Sequence, residues 1–276
     1  MDEVIMKEIA FPGLDLFNLY QSILMFFFAT LRIGSFLLSS PFFSTSFFSM
    51  QIRIVVSISI ALFIFPEVKI PNIAELNALK TIILILSEIG IGVSVGLVLS
   101  ILFSVASVTG EKIASTAGLS MANMIDPQTG GQTLVISTVL ALFLICIFLS
   151  LDGHLYVLKM IIESYEYLPI GIMLNLSNAS DAGIQAFGKM LYLAALIMLP
   201  VVGGMLLINF SGGIVTRAAP TLNLFSFIFP VTLVSVFIFL FMALNTIANG
   251  FSDVTGIGIN LIDNLLHSIN LRSENG

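Results

Sequence analysis

Charge, cysteine and histidine are all scarce in this chain, and each scarcity removes a class of function. Only 9% of its 276 residues are Asp, Glu, Lys or Arg, against about 25% in an average soluble domain. An ordinary water-exposed globule is therefore excluded. The single cysteine, Cys146, has no intrachain disulfide partner and reads as a small packing residue inside an apolar run. His154 and His267 are the two histidines, and neither an HExxH helix nor paired metal-ligand spacing surrounds them. A Gly-rich phosphate loop, a nucleophile elbow and a catalytic carboxylate pair are missing too, so no enzyme and no cofactor is expected. The ten Lys and Arg residues are scattered, leaving no basic cluster for nucleic acid. The N-terminus, MDEVIMKEIAFPG, is acidic and lacks the positive n-region of a signal peptide, so it is expected to be retained.

What fills the chain is apolar: 58% of residues are hydrophobic. Residues 33–51, 89–110, 127–151, 190–216 and 218–252 carry no formal charge, and about 20 apolar residues suffice to cross a bilayer core. An all-α, membrane-associated protein with roughly five or six long hydrophobic helices follows. The net charge of −6 sits mainly in termini and loops, and the length leaves little for a separate soluble domain. Basic residues are spread so evenly that the positive-inside rule assigns no orientation. Such a protein is positioned by partner subunits more than by its own flanking charges.

The first apolar segment, 14–38, is broken by Arg32 and ends before Ser39-Ser40-Pro41. A second, 54–65, is short for a span and is expected to pair with the first as a hairpin or to lie against protein. Residues 79–108 form the longest candidate helix, interrupted by Glu88. Its Gly92 and Gly96 have the four-residue spacing that lets membrane helices approach closely. The surrounding GIGVSVG follows no strand and lacks the spacing of a dinucleotide fingerprint. Residues 155–167 repeat apolar side chains at helical spacing, marking an amphipathic helix. The last long runs, 184–210 and 222–249, are each expected to be interrupted by a proline, Pro200 and Pro230, with the hinge TRAAP between them.

Arg32, Arg53, Glu88, Lys189 and Arg217 are ionisable groups in or beside apolar segments, where an unpaired charge costs several kcal/mol. Either arginine of the first two segments is placed to pair with Glu88. A structural salt bridge or subunit contact is the plain reading, because no ordered series of carboxylates and histidines exists to relay protons. Asp152-Gly153-His154 resembles a catalytic fragment only superficially. Asp152 is expected to cap the following helix through its carboxylate, with His154 as a polar contact.

The remaining unusual stretch is TGEKIASTAGLSMANMIDPQTGGQT, residues 109–133, wedged between apolar runs. Non-helical backbone at membrane depth is tolerated only where protein buries it or water lines it. A functional loop facing a pore or cavity is expected here; the plainer alternative is a connecting loop outside the membrane.

This block, together with LDGHLYVLKMIIESYEYLPIG and TRAAPTLNLFSFIFPVTL, resembles the FliR/SctT family of type III export-gate subunits, in order and separation along almost the whole chain. GLSMANMIDPQTGGQ looks more like the flagellar than the injectisome branch. The resemblance implies one export-gate unit over 1–276, with a FliP-like part and plug loop over about 14–151 and a FliQ-like part over about 152–271. It implies a helical assembly with FliP and FliQ in the bacterial inner membrane at the flagellar basal body, much of it displaced towards the periplasm. FlhB and the FlhA export ring would lie nearby, and unfolded flagellar axial proteins would pass through. The family further implies that Gly118, Met121, Ala122, Asn123, Met124, Asp126 and Pro127 form a plug, for which flexible methionines suit a deformable seal. Arg32, Arg53, Glu88, Asp152, His154, Arg217 and Pro220 would serve subunit or structural contacts. A small-solute transporter is the rival from another class, but it should show inverted repeats and a midplane ligand cluster.

Overall fold

The computed structural model describes residues 16–43, 49–68, 77–119, 135–172, 174–218 and 224–273. Among them every regular element is helical: α1 Leu16–Ser39, α2 Met50–Ile64, a 3-10 turn Phe65–Glu67, α3 Ala78–Thr116, α4 Val135–Ser150, α5 Gly153–Tyr167, α6 Leu176–Ala218 and α7 Leu224–Ser273. Four of these helices are long and apolar enough to cross a membrane, or five spans if the bent pair α4–α5 counts as one. The upper end of the expected number is not reached because α2 has 15 residues. At 1.5 Å per residue it covers only about 22 Å of a roughly 30 Å hydrocarbon core. Instead α2 lies against α1, as a hairpin arm should. Phe26 and Phe65 meet edge-on at 6.4 Å.

Two expectations are corrected by the long helices. Pro200 and Pro230 lie inside continuous helices of 43 and 50 residues and do not divide them. Proline deletes one backbone hydrogen bond and crowds the carbonyl four residues back, a local cost that so many remaining helical bonds outweigh. The second correction concerns residues 109–116, TGEKIAST, which continue α3 instead of belonging to a loop. Their Ala, Glu and Lys are good helix formers, and Gly110 lies directly against the backbone of Ser137 on α4. A side chain there would part the two helices.

The chain forms two compact units from interleaved segments. The first comprises Met1–Val98, Tyr156–Ala182 and Ile262–Gly276; its core includes Phe28, Ile33, Phe36, Ile91, Val95 and Leu168. The second comprises Leu99–Leu155 and Gly183–Leu261; its core includes Leu102, Leu144, Phe148, Val201, Ile247 and Phe251. Within the second unit α6 and α7 run antiparallel: Gly212 faces Ile228, Gly204 faces Phe239 and Gly250 faces Ile197. Both helices leave large apolar side chains uncovered, including Leu199, Leu207, Phe210, Phe241 and Met242.

Candidate functional site

In the first unit the geometry converges on Arg32, which is fully buried in α1. Its Nε donates to Glu88 Oε2 at 2.7 Å and its Nη2 to Glu88 Oε1 at 2.9 Å, a bidentate ion pair between α1 and α3. Planar guanidinium and carboxylate match as a fork, which gives direction as well as attraction. Nη1 donates to Ser164 Oγ of α5 at 2.9 Å, and Nη2 also donates to the carbonyl of Leu168 at 3.0 Å. The guanidinium carbon stands 4.1 Å from the centroid of the Tyr165 ring, a favourable cation–π placement. Tyr165 in turn donates its hydroxyl to the carbonyl of Ala29 at 3.0 Å. Three helices and the start of a loop are thus tied through one side chain. A buried charge is tolerable only when paired and hydrogen-bonded, and both conditions are met.

Close helix approach makes this reach possible. A methyl group at Gly92 would collide with Ser35 Oγ and the Arg32 carbonyl, and one at Gly96 would collide with Ser39 Oγ. The spacing noted in the sequence therefore does bring α3 onto the backbone of α1. Ser35 and Ser39 return their hydroxyls to carbonyls of their own helix, Arg32 and Ser35, so no polar hydrogen is stranded in the contact.

Beside the ion pair, Ser87 holds the non-helical turn between α5 and α6. Its hydroxyl donates to the carbonyl of Ile172 and accepts from the amide of Leu174, both at 2.8 Å. With Arg32 on the Leu168 carbonyl, three backbone groups of this turn are satisfied from α1 and α3. That is the accounting an irregular segment in apolar surroundings requires.

In the second unit, the end of α3 is built to stop. Gly118 has φ 82°, the left-handed region where glycine escapes the Cβ penalty. Leu119 donates its amide to the carbonyl of Ala114 at 3.0 Å and Gly118 to that of Ser115 at 3.1 Å. This paired pattern is the Schellman termination of a helix. Neighbouring helices take the remaining carbonyls: Asn209 Nδ2 of α6 donates to Thr116 at 3.0 Å, and Thr232 Oγ1 of α7 to Ala117 at 3.3 Å. The other residues expected in a plug, Met121, Ala122, Asn123, Met124, Asp126 and Pro127, lie outside the described residues, as does Pro220.

The remaining sequence candidates stand on separate elements. Arg53 is half-buried on α2, and Arg32, not Arg53, occupies both oxygens of Glu88. Asp152 is exposed with φ 55°, whereas an N-cap residue has extended backbone. Its carbonyl, not its carboxylate, takes the Leu155 amide at 2.9 Å. Asp152 instead turns the chain between α4 and α5, which meet with a bend of 64°; aspartate is among the few residues that tolerate the left-handed region. His154 is half-buried at the start of α5. Arg217 is exposed in the last turn of α6, where a cation complements the helix dipole. Ser87, Ser164, Asn209 and Thr232 were not singled out from sequence. The available signal was the same for all: a hydrogen-bonding side chain within or beside an apolar run.

Among the described residues no three His, Cys, Asp or Glu side chains gather as a metal-holding group. Residues 23–256 match the family described as Bacterial export proteins, family 1. The chain is 29% identical to the flagellar biosynthetic protein FliR of Pectobacterium carotovorum subsp. carotovorum, over 75% of this chain and 79% of that one. With the flagellar biosynthetic protein FliR of Bacillus subtilis it shares 26% identity over 91% of its own length and 97% of the relative's. It is also 29% identical to the Yop proteins translocation protein T of Yersinia pestis, over 63% of this chain and 67% of that protein.

Proposed function

Because this chain belongs to the bacterial export proteins of family 1, we propose that it is a core subunit of a flagellar type III protein export gate. The observation that carries this reading is the reach of the similarity to flagellar relatives along most of both chains. The injectisome relative is matched over a smaller share, which favours the flagellar branch. The subunit is non-enzymatic: it forms, with FliP and FliQ, the conduit through which unfolded axial proteins leave the cytoplasm. Energy is supplied elsewhere in the apparatus, by an export ATPase and the proton gradient. FlhB and the FlhA ring are its neighbours on this reading, and its place is the inner membrane at the basal body, displaced towards the periplasm. The uncovered apolar faces of α6 and α7 suit burial against sister subunits and lipid.

The roles of Arg32 and Glu88 follow from what they touch, and those of the other residues from the family resemblance. Arg32 and Glu88 hold α1, α3 and α5 in register inside the subunit, while Arg53, His154, Arg217 and Pro220 serve contacts at hinges and interfaces. The loop around 118–126 closes the resting conduit. Its support is the anchored stalk: the Schellman turn at Gly118 and the bonds from Asn209 and Thr232 give the loop a rigid base from which to project.

Deletion of the gene from a flagellated host, with complementation by the tagged chain, tests the reading. Export of axial proteins should stop and be restored, and the tagged chain should purify with neighbouring membrane subunits, their intact mass giving the composition. Restored export without any such association, or a long-lived lone monomer in detergent, would count against a gate subunit. Deleting residues 120–123 in an assembled gate should raise ion conductance, and Met121→Ala with Met124→Ala should do so less. A gate that stays as tight as wild type and still exports would remove the plug role.

A further inference from the structure

Pliancy is shared unequally between the two long helices of the second unit. In α6, Pro200 is followed within about one turn by Gly203 and Gly204. Proline has no amide hydrogen, so the Leu196 carbonyl loses its helical donor, and the pyrrolidine ring crowds that carbonyl. Among residues other than proline, glycine is the poorest helix former, because its backbone has the most freedom to lose. This turn of α6 therefore lacks a ladder bond and contains two residues that hold the helix weakly. The facing part of α7, residues 231–249, contains neither glycine nor proline.

Packing within the chain accounts for Gly204 but not for its neighbours. A methyl on Gly204 would meet the Phe239 ring at 2.6 Å, so close contact with α7 demands glycine there. Nothing lies within 4 Å of a methyl on Gly203, and both Gly203 and Pro200 are exposed. Close contacts hold α6 to α7 on either side of this turn: Ile197 against Gly250 before it and Gly212 against Ile228 after it. The hairpin tip beyond the turn also grips the end of α3, where Asn209 donates to the Thr116 carbonyl and Thr232 of α7 to that of Ala117. Sharp kinks form at proline and at glycine. Here both fall within one turn, at the base of the tip that holds α3.

On this basis, and resting on the export-gate reading, we infer that Pro200–Gly204 is a joint in α6, and that bending there during export moves the hairpin tip together with the end of α3 that it holds. Hinges of this kind are a few residues that absorb the change in backbone angles while the elements on either side stay rigid. α7 bends alongside as an elastic rod and returns the tip to its resting place, since an unbroken helix curves gently instead of kinking.

Stiffening the joint without crowding it separates motion from fold. Pro200→Ala restores the bond to Leu196, and Gly203→Ala favours the helix where the methyl has room. Complexes carrying either change, or both, should assemble in wild-type amount and survive graded heating at least as well as wild type. Their export should nevertheless slow, by about fivefold or more in the double variant, as when a conformational step limits the rate. Pro200→Gly restores the same bond but keeps the turn pliant, and should export like wild type. Gly188→Ala with Gly213→Ala, at equally open positions of the same helix away from the joint, should leave export unchanged. Wild-type export in the double variant would overturn the inference, and so would equal slowing in Pro200→Gly or in the Gly188 and Gly213 variant. If Pro200→Ala fails to assemble, Gly203→Ala alone decides: slower export from an intact complex upholds the joint, and wild-type export overturns it. Loss of assembly in Gly203→Ala would make that position a subunit contact and overturn the joint as well. If the wild-type chain restores no export to a deletion host, the gate reading falls and the joint with it. Where it does restore export, these outcomes bear on the joint alone.

Discussion

Removing Arg32 alone and removing it together with Glu88 should have very different consequences. In Arg32→Met the methionine roughly fills the space of the aliphatic stem, but the Glu88 carboxylate, 1% exposed, loses both of its bidentate hydrogen bonds. Breaking one side of a buried ion pair costs about 3–5 kcal/mol. The Leu168 carbonyl loses its donor as well, adding about 1 kcal/mol. Against a typical total of about 5–15 kcal/mol, that is enough to depopulate the folded subunit. Adding Glu88→Leu removes the stranded charge, and the double variant should fall within about 2 kcal/mol of wild type, since apolar replacement of a buried pair is often near neutral. The measurement is the fraction of purified gate complex that survives graded heating, read by size-exclusion chromatography. The expected order is wild type, then the double variant, then either single variant well below. If Arg32→Met survives as well as the double variant, Arg32 and Glu88 are not coupled as the geometry requires.

Gly92→Ala and Gly96→Ala should each lower the surviving fraction, because the new methyl meets Ser35 or Ser39 and the α1 backbone; overpacking of this kind costs about 1–3 kcal/mol. Gly183→Ala, where nothing lies within 4 Å, should be neutral or stabilise by up to about 1 kcal/mol, and equal damage at all three positions would refute the close-packing account. Ser87→Ala strips the bonds to Ile172 and Leu174 from the α5–α6 turn and should cost about 1–3 kcal/mol, detectable as faster proteolysis within residues 168–175; unchanged cleavage would mean the turn holds itself. Gly118→Ala forces a Cβ into the left-handed region at φ 82°, a cost of about 1 kcal/mol, and should loosen the loop base enough to raise conductance of the assembled gate. Wild-type conductance in that variant would separate the helix stop from closure.

Much of the fold was legible because one-dimensional signals carry it. Apolar run length marked the helices, the pre-proline serines marked the end of α1, and the glycine pair marked where α3 would meet another backbone. The proline breaks misled for a physical reason: the penalty at Pro200 or Pro230 is local, while the helix that absorbs it is 43 or 50 residues long. Asp152 misled because a carboxylate before a helix reads as a cap, and only the backbone dihedral reveals that it turns the chain instead.

The candidate site divides along the same line. Composition and periodicity by themselves determined that this is an all-α, membrane-associated protein, and that Arg32, Arg53 and Glu88 need partners. They could not choose between Arg32 and Arg53, because separation along the chain, 56 residues from Glu88 for the first and 35 for the second, does not set distance in space. Tertiary structure decided for Arg32 by bringing α1 against α3 at Gly92 and Gly96, and it added Ser164, Tyr165 and the Leu168 carbonyl from segments more than 130 residues away. Charge pairing is a property of distance in space, whereas apolar run length is a property of neighbours in sequence. The first needs packed helices to be read, and the second does not.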